Sequence, residues 1–192
     1  MINLGSPFKK KEIIAGLKAE NSAVHGYFSA IPEPKFFEAP PNIWSPADNL
    51  VHLIKSISPI VTALKLPKMA LRMRFGKAKH ASRSLAEVRK AYMEFVDTGR
   101  AIAPSNFAPE VAEPSADERQ RILQGWQRKC DQLVSVVESW ADEDLDQLVL
   151  PHPLLGDMTL REILLFTLYH NLHHINDVQR LQDEPESEWF DI

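Results

Sequence analysis

The sequence predicts an all-α protein of helices joined by proline-rich loops, and three observations carry that prediction. Glycine is scarce and proline plentiful, 7 against 14 in 192 residues. Sustained alternation of apolar and polar residues, the mark of a half-buried strand, is hard to find. Apolar residues instead recur at three- and four-residue spacing over several long stretches. With 44% hydrophobic residues the chain can bury one substantial core, so a single domain over residues 1–192 is expected.

Composition also excludes some functions. A net charge of −4 is too small to argue for nucleic acid or an anionic membrane as partner. The lone cysteine excludes an internal disulfide and a zinc site built on several thiolates. The opening residues MINLGSPFKKKE lack an apolar signal core, and no run approaches the roughly 20 apolar residues needed to cross a bilayer. A cytoplasmic protein without membrane contact is the expectation.

Taken in order, Ser6-Pro7 reads as a cap and first-turn pair, and Ile13, Leu17, Val24, Phe28 and Ile31 form the stripe of a first helix over about 9–31. His25 lies beside that stripe and takes no role. Residues 32–44 hold Pro32, Pro34, Pro40 and Pro41 and read as an irregular loop. Ser45 then caps a second helix with Pro46 in its first position and Asp48 near the positive end of its dipole. Leu50, Leu53, Ile54, Ile57, Val61 and Leu64 stripe this helix to about Leu66, with a kink expected at Pro59. His52 sits on it.

Residues 65–90 carry nine lysines and arginines against one acidic residue, Glu87. The segment is either an anion-binding surface or a solvated excursion paired with the acidic stretch from Asp177 onward, and the second reading is favoured. Nucleic acid is disfavoured because Phe75 is its only aromatic. A short helix over about Ser84–Thr98, ended by Gly99, and a loop from Pro104 to Pro114 follow. Ser115 opens a third helix striped by Ile122, Trp126, Cys130, Leu133, Val137 and Trp140, which makes Cys130 a buried apolar residue rather than a nucleophile. Residues 150–156 read as a loop. Thr159 and Glu162 form a capping box for a fourth helix, striped by Ile163, Thr167, His170, His174, Asp177 and Leu181.

That last stripe carries the chemistry. His170 and His174 lie one turn apart on the face that must turn inward, and two imidazoles at this spacing can close on one metal ion. His173 is rotated by about 100° and misses that ion, which makes it a pocket-lining group. Neutral imidazole suits zinc, nickel, copper and iron(II). Other metal motifs fail at named positions: a zincin needs Glu where Asn171 stands, and no Glu-x-x-His pair exists for a di-iron bundle. A hydrogen-bonded buried histidine pair without metal, and His52 on the surface, is the structural alternative.

Two stretches resemble a known family. Trp44-Ser45-Pro46-Ala47-Asp48-Asn49-Leu50-Val51-His52-Leu53 is similar to the second-helix motif of the DinB-like (DinB/YfiT) superfamily. His152-Pro153-Leu154-Leu155-Gly156-Asp157-Met158-Thr159-Leu160 followed by His170-x-x-x-His174 is similar to that of its last long helix. The resemblance implies a four-helix bundle of up-down-down-up type with a long, partly helical connection between helices two and three, often a homodimer. It implies His52, His170 and His174 as ligands of zinc or nickel. Some members use bacillithiol, mycothiol or glutathione in S-transfer or isomerisation, and many have no known activity. One departure concerns Asp177, where the family commonly has Gln: a carboxylate there could orient His174 or His173, approach the metal, or be a solvated helix-end residue. On an ideal wheel His52 falls opposite Leu50, Ile57 and Leu64, so helix two is covered on both faces or its geometry is altered.

The resulting expectation is a metal-dependent enzyme acting on a small molecule, with a thiol cosubstrate in S-transfer and metal-assisted hydrolysis as runner-up. His173 and Asp177 are the candidate proton carriers, and Asp48 is a candidate acceptor for the His52 ring N–H. A non-catalytic metal- or ligand-binding bundle is the competing class.

Overall fold

Side chains that satisfy otherwise orphaned backbone N–H groups decide where the helices begin. In the computed structural model, which describes residues 5–98 and 104–183, Ser45 Oγ accepts from Asp48 N at 3.1 Å and Asp48 Oδ2 accepts from Ser45 N at 3.0 Å. Thr159 and Glu162 form the same reciprocal box, and Ser84 with Glu87 forms another. Ser115 Oγ accepts from Glu118 N at 3.2 Å. The expected cap at Ser6 is not used: the first helix starts at Lys10, and Glu12 reaches back to the N–H groups of Phe8 and Lys9.

Among the described residues the helices are α1 (Lys10–Ala30), α2 (Glu33–Phe37), α3 (Pro46–Leu64), α4 (Lys68–Phe75), α5 (Leu85–Val96), α6 (Ala116–Glu138) and α7 (Leu160–Asp183). Strands β1 (Val149–His152) and β2 (Gly156–Thr159) pair antiparallel just before α7. The four long helices α1, α3, α6 and α7 form the bundle, and residue pairs give their directions. Lys18 bonds Glu138 while Arg119 reaches the carbonyls of Ser29 and Ile31, so α1 and α6 are antiparallel. Gly16 packs on Leu168 and Glu20 meets Asn171, so α1 and α7 are parallel. Ile54 approaches Gly125 and the Trp140 indole donates to Leu64 O, so α3 and α6 are parallel. The up-down-down-up order is therefore present, with α4 and α5 in the long connection from α3 to α6.

Two local expectations are corrected. The proline-rich segment after α1 contains α2, because Pro32 and Pro34 suit a helix start and Phe36 is drawn fully into the core against Phe28. The stretch expected as loop 150–156 belongs to a hairpin, four residues per strand and too short for alternation to show; Gly156 turns it with φ 70°. Helix α3 continues through Pro59 to Leu64, and the chain bends by 112° between α3 and α4.

Among the described residues, two cations of the basic segment are paired with acids outside the C-terminal stretch. Lys68 pairs with Asp144, and Arg83 Nε donates to Glu162 Oε1 at 2.8 Å. Residues 184–192, which hold most of the acidic stretch, and Gly99, the expected end of the short helix, lie outside the described residues. Among the described residues no single helix is long and apolar enough to cross a membrane.

Candidate metal centre

Because α3 and α7 run antiparallel, residues near the start of α3 face the second half of α7: His52 lies opposite His170, and Asn49 opposite His174. His52 Nε2 is 3.3 Å from His170 Nε2, which is 3.1 Å from His174 Nε2. The three imidazoles are buried and offer ligand atoms all within 4.8 Å of one another. The wheel geometry that set His52 against its own apolar stripe is resolved by two-sided cover. Asn49, Leu50, Val51, His52 and Leu53 are all buried, so His52 is not a surface residue.

Hydrogen bonds fix which nitrogen of each ring faces the centre. A carbonyl oxygen only accepts, so His52 Nδ1, 2.9 Å from Phe107 O, must carry the proton. Asn49 gives its amide hydrogens to the carbonyls of Trp44 and Ser45. Its oxygen is thereby turned to His174 Nδ1 at 2.8 Å, which donates. Both rings are left with bare Nε2 lone pairs aimed at a common point. Nitrogens held 2.0–2.1 Å from a tetrahedral ion lie about 3.3 Å apart, close to the 3.3 and 3.1 Å that separate His170 Nε2 from the other two, while all three ligand atoms lie within 4.8 Å of one another. The donor set fits a divalent first-row metal, with a position left open for water or substrate.

Burial keeps these rings neutral. Burial pushes the pKa of His170 and His174 well below that of ordinary histidine, and the neighbouring imidazoles push the same way. Burial lowers His52 too, against a smaller opposing contribution from its bond to Phe107. Stacked rings wall the cluster: Trp44 lies 5.9 Å from His174 and Phe166 lies 5.0 Å from His170, centroid to centroid.

The cluster opens into a cavity of about 610 Å³ lined largely by apolar and aromatic side chains, among them Ile43, Ile60, Phe75, Tyr92, Phe107 and Leu154. His173 and Asp177 also line it, with His173 Nε2 3.6 Å from Asp177 Oδ2. Asp177 is bound by Arg180 at 2.6 Å and does not orient His174, whose partner is Asn49. Asp48 likewise serves the helix cap, and the His52 ring N–H goes to Phe107. His152, part of the motif before α7, accepts from the N–H groups of Leu154 and Leu155 and is not in the cluster.

Several contributors were missed from sequence. Phe107 acts through its backbone, which no side-chain pattern reports. Asn49 stands in the motif stretch one turn before His52, a position from which it could have been suspected. The pair Glu20 and Asn171 was missed altogether: Asn171 Nδ2 donates to Glu20 Oε2 at 3.0 Å, both are almost fully buried, and burial raises the Glu20 pKa to about 8. Cys130 is buried as expected, and burial holds its thiol protonated.

A helical bundle with three neutral imidazoles converging at the floor of an apolar cavity defines a class of protein fitted to bind a metal. The chain belongs to the DinB superfamily, whose model matches residues 17–178. The structure is similar to the crystal structure of the colibactin self-resistance protein ClbS in complex with a dsDNA, with TM-score 0.53 and 17% identity over 92% of this chain and 96% of that one. At that identity the likeness establishes the fold. No curated protein matches the chain.

Proposed function

We propose that the chain is a divalent-metal-dependent enzyme: Nε2 of His52, His170 and His174 hold zinc or nickel, and the cavity admits a low-molecular-weight thiol and a second small substrate for S-transfer. The observation that carries this reading is the convergence of the three rings with Nδ1 of His52 and His174 already engaged. A bound divalent metal supplies Lewis acidity, which lowers the pKa of a thiol or water toward neutrality.

The chain's own groups orient and shield. Phe107 O and Asn49 Oδ1 hold two rings in the tautomer that points a lone pair inward. Trp44, Phe166 and Tyr92 keep bulk water from the cluster. His173 and Asp177, which line the cavity with His173 Nε2 3.6 Å from Asp177 Oδ2, are the candidate proton carriers beside a reacting group. Homodimerisation, implied by family resemblance, belongs to the same proposal and is checked by sedimentation.

Metal analysis of protein purified without a histidine tag is the first test, with about one equivalent of zinc or nickel per chain expected. A metal-free protein indifferent to replacement of all three histidines overturns the reading. A conjugation screen with bacillithiol, mycothiol and glutathione then separates S-transfer from hydrolysis, in which turnover persists without any thiol, and from a non-catalytic binding module, in which nothing turns over. Because ClbS was crystallised with dsDNA, anisotropy titration with labelled duplex at low and physiological salt is the matching control; salt-resistant binding would move the partner from small molecule to nucleic acid.

A further inference from the structure

The pair formed by Glu20 on α1 and Asn171 on α7 has a hydrogen-bonding pattern that a carboxylate does not explain. One bond runs from Asn171 Nδ2 to Glu20 Oε2 at 3.0 Å. The other two oxygens of the same pair, Glu20 Oε1 and Asn171 Oδ1, are both buried and both lack a partner. A carboxylate would leave two acceptors stranded in the interior, each at a desolvation cost. A neutral carboxylic acid would remove both defects together, its O–H on Oε1 donating to Asn171 Oδ1 and closing a two-bond acid–amide ring. Among the described residues no charge nearby resists this. Asn171 meets Glu20 from α7, and the thiol of Cys130, close enough on α6 for their charges to interact, is kept protonated by burial. The raised pKa of Glu20, caused by burial, agrees.

In that ring Asn171 has one donor to spare, its second amide hydrogen. Asn171 lines the cavity and directly follows His170 in sequence. We propose that Glu20, as a neutral acid, is a positioning residue that locks the Asn171 amide so that its free N–H serves the cavity as a donor to a carbonyl-type oxygen of the substrate. The proposal rests on reading the cavity as a substrate site, and it narrows the substrate to one bearing such an oxygen within reach of the metal.

Infrared difference spectra between the wild type and Glu20→Gln at pH 7 read the Glu20 proton directly and need no metal. A neutral-acid carbonyl band is expected, and a carboxylate signature in its place overturns the proposal. Acetohydroxamic acid, which offers a carbonyl oxygen and a metal-binding group, is then titrated calorimetrically into the zinc-loaded protein. Gln can rebuild the ring with its own amide, so Glu20→Gln should bind within about threefold of wild type, whereas Glu20→Leu and Asn171→Ala should each lose about tenfold, without adding in the double variant. Losses that add, or full affinity in a folded Glu20→Leu, overturn it. If Glu20→Leu does not fold, the pH dependence decides: relative to Glu20→Gln, wild-type affinity should drop as pH rises through about 8, and parallel profiles overturn the proposal. Protein that takes up no zinc refutes the metal reading while the infrared result still judges Glu20.

Discussion

The two halves of α7 handle buried polar groups in opposite ways. The first turn is a charged brace. Glu162 is fully buried and accepts from the Arg83 backbone N–H and guanidinium and from Thr159 N. Next to it, Arg161 reaches Asp146 at 2.6 Å and Asp142 at 2.8 Å. Burial would raise Glu162, but those donors outweigh it and hold the carboxyl below its usual range. Three turns on, the polar groups are neutral: imidazoles whose protonation burial suppresses, and Asn171 against a Glu20 that no cation among the described residues meets. Solvent exposure is low at both ends, but the histidines and Glu20 lie deeper than Glu162; depth and the supply of donors together decide the charge. The brace suits a fixed helix start, and the neutral end suits ligands that must present lone pairs.

The largest effect expected from breaking this contrast is at the neutral end. His170→Ala should abolish stoichiometric metal uptake in elemental analysis while leaving the helical circular dichroism intact, because His170 Nε2 is the nitrogen close to both other rings. Retention of a full equivalent would mean that the cluster is not the metal site. At the braced end the expected loss is of fold. Arg83→Ala strands the buried Glu162 carboxylate and should cost about 3 kcal/mol in urea unfolding, with Arg83→Ala/Glu162→Gln recovering part of it.

How far the sequence could be read follows the same division. Caps and stripes announced the long helices because Ser45, Ser115 and Thr159 each act within their own turn. His170 and His174 were legible as a pair because four-residue spacing is local geometry, whereas His52 entered by family resemblance, since its meeting with His170 spans 118 residues. The parts that stayed hidden depend on tertiary encounters: a backbone carbonyl at Phe107, the partner of Glu20, and the acids chosen by Lys68 and Arg83. The hairpin before α7 failed for another reason, as four-residue strands with Pro151 inside carry almost no periodic signal.

Glu20 gives the contrast a pH signature. Its folded pKa of about 8 lies above the ordinary 4.5, so the folded state holds the proton longer than the unfolded chain. The stability it confers is complete below about pH 4.5 and falls as pH rises toward 8, by about 1.4 kcal/mol per unit in between. Glu20→Gln should remove that slope, so its melting temperature should exceed the wild type's by more at pH 8 than at pH 6. Parallel curves would place Glu20 with Glu162 among the ionised residues.

The smallest effect separates orientation from coordination. Asn49 touches no proposed metal position; it accepts from His174 Nδ1 while its own hydrogens are spent on Trp44 and Ser45. Asn49→Ala frees the His174 ring to rotate or change tautomer, so zinc affinity in a chelator competition should fall about tenfold without loss of stoichiometry. Asn49→Asp sharpens the point: a carboxylate in place of the amide gives His174 Nδ1 a stronger acceptor but cannot donate to the two carbonyls. If affinity rises while thermal stability drops, the amide is a compromise between anchoring α3 and orienting a ligand. If both fall together, Asn49 serves the packing of α3 alone and does not tune the His174 ring.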